Sequence, residues 1–385
     1  MERDELGAWL RLTQTPGVGN QSARKLLAAF GAPQAVFSQT RVALQQVVSP
    51  ALADALLCEP ADIDRQLAPT WDWLRGADQP GVQRGIAVLG DALYPPSLLS
   101  MDDPPLLLYL MGQLSASAAQ ALAPCIAIVG SRNPTPQGLV NAKNFALACA
   151  DAGLGVVSGL ALGVDAAAHE GALAAEPGVA PWATIAVVGT GLDRVYPSKH
   201  LALAHRIAQR GLLISEYPLG TPPLAANFPK RNRIIAGLSL GTLVVEAALK
   251  SGSLITARLA AEQGKEVFAI PGSIHAMQSH GCHALIREGA KLVETAQDIL
   301  EELALPMARN PAAGLRQGEL TATADAASSP LLQALGHDPV SLDALVARTG
   351  VDAAALLAQL LELELGGEVS RLPGGLFQRF HAASY

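Results

Sequence analysis

The stretch CIAIVGSR, residues 125–132, carries the pattern that decides the fold. A short apolar run ends at a glycine, as a strand buried on both faces of a parallel sheet does. Helical stretches, such as residues 138–153 and 253–264, separate further runs of this kind. Those runs are GVVSG (155–159), TIAVVGTG (184–191), LLISEY (212–217), TLVVEA (242–247), EVFAIP (266–271) and KLVET (291–295). Such alternation predicts an α/β fold with a doubly wound, mainly parallel sheet.

The rest of the chain divides into smaller units around this sheet. Residues 1–80 show helical periodicity and predict a small all-helical domain. The sheet belongs to a main domain at residues 84–303, and residues 304–328 are small and polar enough for a linker. Residues 329–385 read as two helices broken at Gly350 and then a hairpin, which predicts a winged-helix-like domain.

The helical domain contains a tight turn, PGVG, at residues 16–19. In a helix-hairpin-helix or SAM-like domain, free amides at the start of the next helix would face a phosphate. A plain helical hairpin without a ligand explains the same residues. The motif is short, and both interpretations stay open.

Composition and charge exclude several classes of protein. The 385 residues contain no uninterrupted apolar run of about 18, and the start MERDELGAWL lacks the features of a secretory signal. We therefore expect the protein to be cytoplasmic. The four cysteines form no C-x-x-C pair, so we expect reduced thiols and no redox chemistry.

The net charge of −7 would repel a polyanion from the surface as a whole. Residues 227–258 differ, because they hold five cations and the single acid Glu246. Lys230, Arg231 and Arg233 lie together in NFPKRNRIIAGLS (227–239), beside Phe228. Single-strand binders combine a basic groove with aromatic rings on which bases stack. The segment predicts a polyanion contact, with Phe228 as either a stacking surface or a core residue.

The first strand of the sheet is followed by Gly130, Ser131 and Arg132. Glycine lets a ligand approach the backbone amides, and arginine offers a fork of donors, so this turn is a candidate phosphate site. A purely structural turn is the alternative. Neither G-x-G-x-x-G nor the P-loop pattern is present, which disfavours ordinary dinucleotide and ATP chemistry.

Long motifs give the chain a family resemblance. With IVGSR, they are SGLALGVDAAAHEGAL (158–173), VVGTGLDRVYP (187–197), ISEYPLGTPPLAANFPKRNRIIAGLS (214–239), VVEAALKSGSLITARLAAEQGKEVFAIPG (244–272) and LIREGAKLVE (285–294). Together they are similar to the DNA-processing protein A (DprA, also called Smf) family. The resemblance implies an extended Rossmann-like fold, a homodimer, sequence-independent binding of single-stranded DNA, and delivery of that DNA to a RecA-type recombinase in natural transformation.

The resemblance also implies a set of binding residues. The family's strand-binding pocket would use Arg132 and the FPKRNR loop, with Lys230, Arg231 and Arg233. We include their neighbours and one more distant cation, namely Gly130, Ser131, Asn227, Phe228, Asn232 and Lys250.

Two clusters have donor types that metals prefer. Asp165 and His169 are four apart and share a helical face, but no third ligand is evident, and a helix cap is the simpler interpretation. The second cluster matches no common zinc-binding spacing and is interpreted as a variable loop. It consists of His275, His280, Cys282 and His283. We expect no metal and no cofactor.

An enzyme or a nucleotide sensor is the alternative function. Phosphoribohydrolases of the LOG family carry PGGxGTxxE, and this chain has Gly241, Thr242 and Glu246, with Leu238-Ser239 in place of the glycine pair. We therefore expect no catalysis. The second helix of the winged-helix-like domain carries Asp352, Glu362 and Glu364 and no cation, so a protein contact or dimer support is expected there instead of DNA.

Overall fold

The computed structural model describes residues 1–60, 63–76, 80–114, 124–178, 180–303, 330–336, 339–372 and 374–379. Two sheets occur among these residues, one of nine strands and one of three. The predicted linker, residues 304–328, lies outside the described residues, and the proposed division into domains stays a prediction.

The N-terminal part is helical, as predicted. Gly17 has a φ of 83°, a conformation that glycine adopts easily, and the chain turns there. The second helix begins directly after Gly19, its N-cap residue. The helices bury one shared core that continues onto the main sheet, where Trp73 meets Tyr109 edge-on at 6.0 Å between ring centroids. The helices are α1 (Arg3–Gln14), α2 (Asn20–Phe30), α3 (Pro33–Phe37), α4 (Arg41–Gln45), α5 (Pro50–Leu57) and α6 (Ile63–Arg75).

The large sheet is doubly wound and mainly parallel, which confirms the predicted fold class. Its spatial order is β1-β2-β6-β5-β4-β3-β7-β8-β9, and the strands from β6 to β9 run parallel. The chain winds outward from β3 to β6 and then crosses to β7 on the other side of β3. The strands are β1 (Gln83–Val88), β2 (Leu107–Gly112), β3 (Cys125–Val129), β4 (Gly155–Ser158), β5 (Thr184–Val188), β6 (Leu212–Ser215), β7 (Gly241–Val244), β8 (Glu266–Ala269) and β9 (Lys291–Leu292).

The sequence reading did not identify β1 and β2 as strands. They pair antiparallel with each other, and β2 continues the sheet antiparallel to β6. The proline-rich segment 94–112 contains a short 3-10 turn at Pro96–Ser100 before it becomes β2. The last proline of this segment, Pro105, precedes β2. Every residue of β2 therefore has the backbone amide that hydrogen bonding to the neighbouring strands requires.

Helices cover both faces of the sheet. One face packs against α7 (Pro136–Asp151), α8 (Val164–Ala174), α9 (Leu201–Arg210) and α13 (Ala296–Glu302). The other packs against α10 (Asn227–Leu238), α11 (Ser253–Glu262) and α12 (His280–Arg287). The strands are therefore buried on both sides, which explains their continuous apolar runs.

The C-terminal part has the predicted winged-helix outline. Its own apolar core lies between three helices and a small antiparallel sheet. The elements are α14 (Pro330–Leu335), β10 (Val340–Ser341), α15 (Leu342–Thr349), α16 (Ala353–Leu365), β11 (Val369–Leu372) and β12 (Leu376–Arg379). In the part of the chain described, no single helix has the length and apolarity to cross a membrane, although α15 and α16, bent by 109°, pass that test as a pair.

Candidate nucleic-acid interface

A pocket of about 750 Å³ opens at the carboxyl ends of the strands, where β3 and β7 lie side by side. The chain leaves β3 and β7 in opposite directions along the sheet, so this is its topological switch point. Ligands bind at such points in open α/β sheets, because the loops that follow the strands diverge there. Loops after β3, β4, β5 and β7 all contribute to the pocket wall.

Glycines allow these loops to pack against each other closely. A Cβ on Gly130 would lie 2.8 Å from the side chain of Val164 and 3.0 Å from the carbonyl oxygen of Glu246. Gly163 has a φ of 82°, and the next amide, of Val164, donates to the carbonyl of Ser131 over 3.1 Å. The loop after β3 is thereby fixed against the start of α8.

Two exposed cations face the pocket. Arg132 follows β3, and Lys250 lies between β7 and α11. Within the described residues, neither makes a hydrogen bond or an ion pair to the protein. Both charges are therefore available to an anionic ligand.

Two aromatic rings also line the pocket. Phe228 lies in the first turn of α10, and its ring centroid is 5.6 Å from that of Tyr196. The guanidinium carbon of Arg132 lies 5.8 Å from the centre of the Phe228 ring. Tyr196 is 49% exposed and lines the pocket. Sequence reasoning missed Tyr196, although it lies in the quoted motif VVGTGLDRVYP.

The FPKRNR segment is helical and not a loop, which corrects the sequence expectation. Residues 227–238 form α10, because the apolar run IIAGL buries its far end against the sheet. Arg231 is only 4% exposed. Its Nη1 donates to the carbonyl oxygens of Gly159, at 2.5 Å, and Val187, and its Nε donates to Asn232. Arg231 therefore ties α10 to the ends of β4 and β5.

The pocket wall contains most of the predicted binding residues and omits three. The residues present are Gly130, Ser131, Arg132, Phe228, Arg231, Asn232 and Lys250. Asn227 instead donates to the carbonyl of Gly189. Lys230 is exposed on the outer side of α10, where its Nζ lies 3.8 Å from Oε2 of Glu216. Whether these residues contact DNA stays a prediction.

Arg233 faces away from the pocket. It is 8% exposed and forms an ion pair with Glu216, which also accepts a hydrogen bond of 3.3 Å from Asn20 of α2. Asp103 lies 3.4 Å from its Nε. This partly buried cluster connects α10 to the N-terminal helices, so Arg233 has internal partners that the sequence did not reveal.

One carboxylate also lines the pocket. Oδ2 of Asp165 accepts hydrogen bonds from the amides of Gly159 and Ala161, at 3.1 and 3.2 Å. Burial raises the pKa of Asp165, and the nearby Arg231 acts in the opposite direction. With three cations against one carboxylate, the wall is net positive in a chain that is acidic overall.

Asp165 and His169 do not converge on a metal site. The hydroxyl of Thr184 donates its hydrogen bond to the carbonyl oxygen of Val156. The same hydroxyl oxygen therefore accepts from Nδ1 of His169, which lies 2.7 Å away. His169 is fully buried, and among the described residues its Nε2 has no hydrogen-bond partner. Burial lowers the pKa of His169 to about 3, so this ring is neutral.

The histidine and cysteine cluster before β9 is also engaged in backbone contacts. His280 and His283 meet the carbonyls of Ile274 and Gly272 at 3.0 and 2.9 Å. Cys282 is buried, and burial raises its pKa to about 12. Across the described residues, no group of three or more His, Cys, Asp or Glu is arranged to hold a metal.

Glu246 would be the catalytic acid if the protein were a LOG-type phosphoribohydrolase, but in the structure it caps a helix. Its carboxylate accepts from the amide and the hydroxyl of Thr135 at 2.9 and 2.6 Å, at the start of α7. Burial raises the pKa of Glu246, and both Thr135 contacts oppose that change. The side chain does not line the pocket.

Two family models match the chain. That of DNA recombination-mediator protein A matches residues 85–304, and that of the DprA winged helix domain matches residues 316–375. Protein Smf of Escherichia coli is 44% identical over 285 residues, which cover 73% of this chain and 74% of that protein. DNA processing protein DprA of Streptococcus pneumoniae is 47% identical over 212 residues, covering 55% of this chain and 72% of the relative.

Solved structures give the same picture. The X-ray structure of DNA processing protein A from Streptococcus pneumoniae superposes with a TM-score of 0.62 and 35% identity, over 78% of this chain and 98% of that one. A structure of DNA processing protein A from Helicobacter pylori, described by its single-stranded DNA binding mode, has a TM-score of 0.50 and 33% identity. It covers 57% of this chain and 95% of that one.

Proposed function

The chain belongs to the DNA recombination-mediator protein A family, and on that premise we propose that it binds single-stranded DNA without sequence preference. The observation that carries the proposal is the pocket at the switch point. There the exposed Arg132 lies over Phe228, beside the exposed ring of Tyr196. The single-strand binding mode described for the Helicobacter pylori protein supports the same role.

The pocket offers separate surfaces for the two parts of a nucleotide strand. Arg132 and Lys250 would neutralise phosphates. Tyr196 and Phe228 would stack with bases. Because every base has a π-face, stacking does not select a sequence.

The proposal includes a role in DNA processing during natural transformation. The bound strand would be protected in the cytoplasm and passed to a RecA-type recombinase. A strand-exchange assay with a RecA-type recombinase and a single-strand-binding protein tests this step. Wild-type protein should speed filament formation on coated DNA, and an Arg132→Ala variant should not.

We also propose that the protein acts as a homodimer. Leu249, Ile274 and Leu292 are 59, 73 and 45% exposed around a cavity of about 650 Å³ next to β9, the last strand of the described sheet. An apolar patch at a sheet edge is a typical contact surface. Sedimentation should find a dimer for the wild type and a monomer for Ile274→Asp.

Direct binding assays test the main proposal. Fluorescence anisotropy of a labelled oligo-dT should report tight binding, and a duplex of the same length should bind far less. An oligonucleotide of mixed sequence should compete as well as oligo-dT. Preference for duplex would contradict the proposal.

The enzyme reading makes a different prediction for the same pocket. An N-glycosidase would release free base and ribose phosphate from nucleoside monophosphates. We expect no release, because Glu246 is bound to Thr135 and lies outside the pocket wall. A nucleotide sensor would instead show saturable mononucleotide binding that displaces oligo-dT.

A further inference from the structure

Helix α16 of the winged-helix part is apolar on two opposite sides. Leu356 and Leu360 are buried in the core of that part. On the other side, Leu357, Leu361 and Leu365 are 42, 56 and 82% exposed. Side chains four apart share one face of a helix, so these three form a single leucine stripe.

The leucine stripe is longer than ordinary surface exposure explains. Ala354 and Ala358, both exposed, continue it toward the start of α16. At 1.5 Å per residue, the distance from Ala354 to Leu365 is about 16 Å. Single exposed leucines are common on protein surfaces, whereas a contiguous apolar stripe marks an interaction surface.

Negative charge borders the leucine stripe on both sides. At about 100° per residue, Glu362 and Glu364 fall on its opposite flanks, and both are exposed. Asp352 precedes the helix and Glu368 follows it. Residues 350–370 contain no lysine or arginine. The surface is therefore apolar along its centre and acidic along its edges.

These charges discriminate between possible occupants. In a helix-turn-helix pair the second helix normally enters a DNA groove, and α16 holds that position after α15. The acids on α16 would repel phosphates there. An anionic bilayer would be repelled in the same way. Two copies of α16 packed face to face would place glutamate against glutamate, which opposes self-association. A partner surface that is apolar along its centre and positively charged along its edges is complementary to both the leucine stripe and its acidic flanks.

We propose that α16 is a docking surface for a partner protein that presents an amphipathic helix, with an apolar stripe flanked by lysines or arginines. The partner's apolar side chains would cover Leu357, Leu361 and Leu365, and its cations would pair with Glu362 and Glu364. None of these α16 residues lines the pocket beside β3 and β7, and the proposal does not rest on the proposed DNA binding.

The experiment uses the full chain and two synthetic helical peptides. Both peptides carry the same leucine stripe, flanked by lysines in one and by glutamates in the other, and anisotropy follows the labelled peptide. The basic peptide should bind and the acidic one should not. Leu361→Ser should weaken binding of the basic peptide by about tenfold, the effect of a central interface residue. Val42→Ser, at an exposed apolar position on α4, should leave binding unchanged.

A charge-reversed variant keeps the test independent of misfolding. Glu362→Lys/Glu364→Lys should lose the basic peptide and gain the acidic one, a gain that an unfolded helix would not give. Equal binding of both peptides, binding of neither, or an unaltered preference in this variant would overturn the proposal. So would self-association of the wild type, seen by sedimentation, that Leu361→Ser abolishes.

Discussion

The guanidinium carbon of Arg132 lies 5.8 Å from the centre of the Phe228 ring. Arg132 follows β3, whereas Phe228 lies in the first turn of α10, so the contact joins two elements that are distant in sequence. Among the described residues Arg132 has no ion pair, so the contact places an unpaired cation beside an aromatic surface. Both lie where the winding of the chain along the sheet reverses, between β3 and β7. A nucleotide strand needs both features close together.

Tyr196 should contribute to single-strand binding through its exposed ring. Tyr196→Ala should weaken oligo-dT binding by about tenfold, since loss of one stacked base costs about 1–3 kcal/mol. Tyr196→Phe keeps the ring and should bind nearly as the wild type does. Anisotropy at one salt concentration compares the three proteins, and an Ala variant with wild-type affinity would show that no base stacks there.

Arg231 should matter for stability before it matters for binding. Arg231→Met would leave the carbonyls of Gly159 and Val187 without their donor, and Asp165 without its buried cation. We expect the free energy of unfolding to fall by about 3 kcal/mol in chemical denaturation. Arg132→Met, at an exposed position, is the matched control and should keep wild-type stability. If Arg231→Met instead kept full stability and lost DNA binding, Arg231 would be a direct phosphate contact.

His169 should make the protein sensitive to acid. Above pH 6.5 its ring is neutral in both the folded and the unfolded state and has no effect on the pH dependence. Below that pH only the unfolded state takes up the proton, until the folded pKa of about 3 is reached. The free energy of unfolding should therefore decrease as the pH is lowered from about 6.5 to about 3. This group alone accounts for a decrease of up to about 5 kcal/mol.

Denaturation curves between pH 4 and pH 7 test this effect. His169→Gln should show a flatter pH dependence than the wild type, whereas His205→Gln, at an exposed histidine of α9, should follow the wild type. A His169→Gln profile parallel to that of the wild type would mean that the folded protein also accepts the proton.

Glu216 should hold α10 against the N-terminal helices. Glu216→Gln keeps the side-chain shape but removes the charge opposite Arg233, so the free energy of unfolding should fall by about 3 kcal/mol. Asp54→Asn breaks an ion pair with Arg41 whose side chains are about half exposed. That variant should stay close to the wild type, because water screens such pairs. Equal losses in the two variants would contradict this assignment.

The parallel strands of the fold could be predicted because each is buried on both faces. The pair β1 and β2 was missed for two different reasons. β1 is an edge strand with only a short apolar run, whereas β2 is apolar and lies inside the sheet but directly follows a proline-rich segment. The FPKRNR segment was expected to be a loop, whereas the structure makes it the first part of a helix. Proline is tolerated in the first turn of a helix, and Pro229 lies in the first turn of α10.

The candidate site was only partly readable from sequence. Arg132, Phe228 and Lys250, all three among the predicted residues, line the pocket. Arg233 is neutralised inside the protein by Glu216, which lies 17 residues before it in the sequence, so the cation count of residues 227–258 did not reveal this pair. Exposure of Tyr196 is likewise a property of the folded loop after β5, and a single tyrosine carries no periodic signal.

The salt dependence of oligo-dT binding tests the central claim most directly. Each phosphate neutralised on a single strand contributes a slope of about −0.7 to log K against log salt. The slope for Arg132→Ala should be shallower than that of the wild type by about 0.7, and its affinity should be lower. Arg206→Ala, which removes an exposed cation of α9 paired with Glu170, should match the wild type. A slope that is the same for Arg132→Ala and the wild type would contradict the assignment of this pocket to the strand.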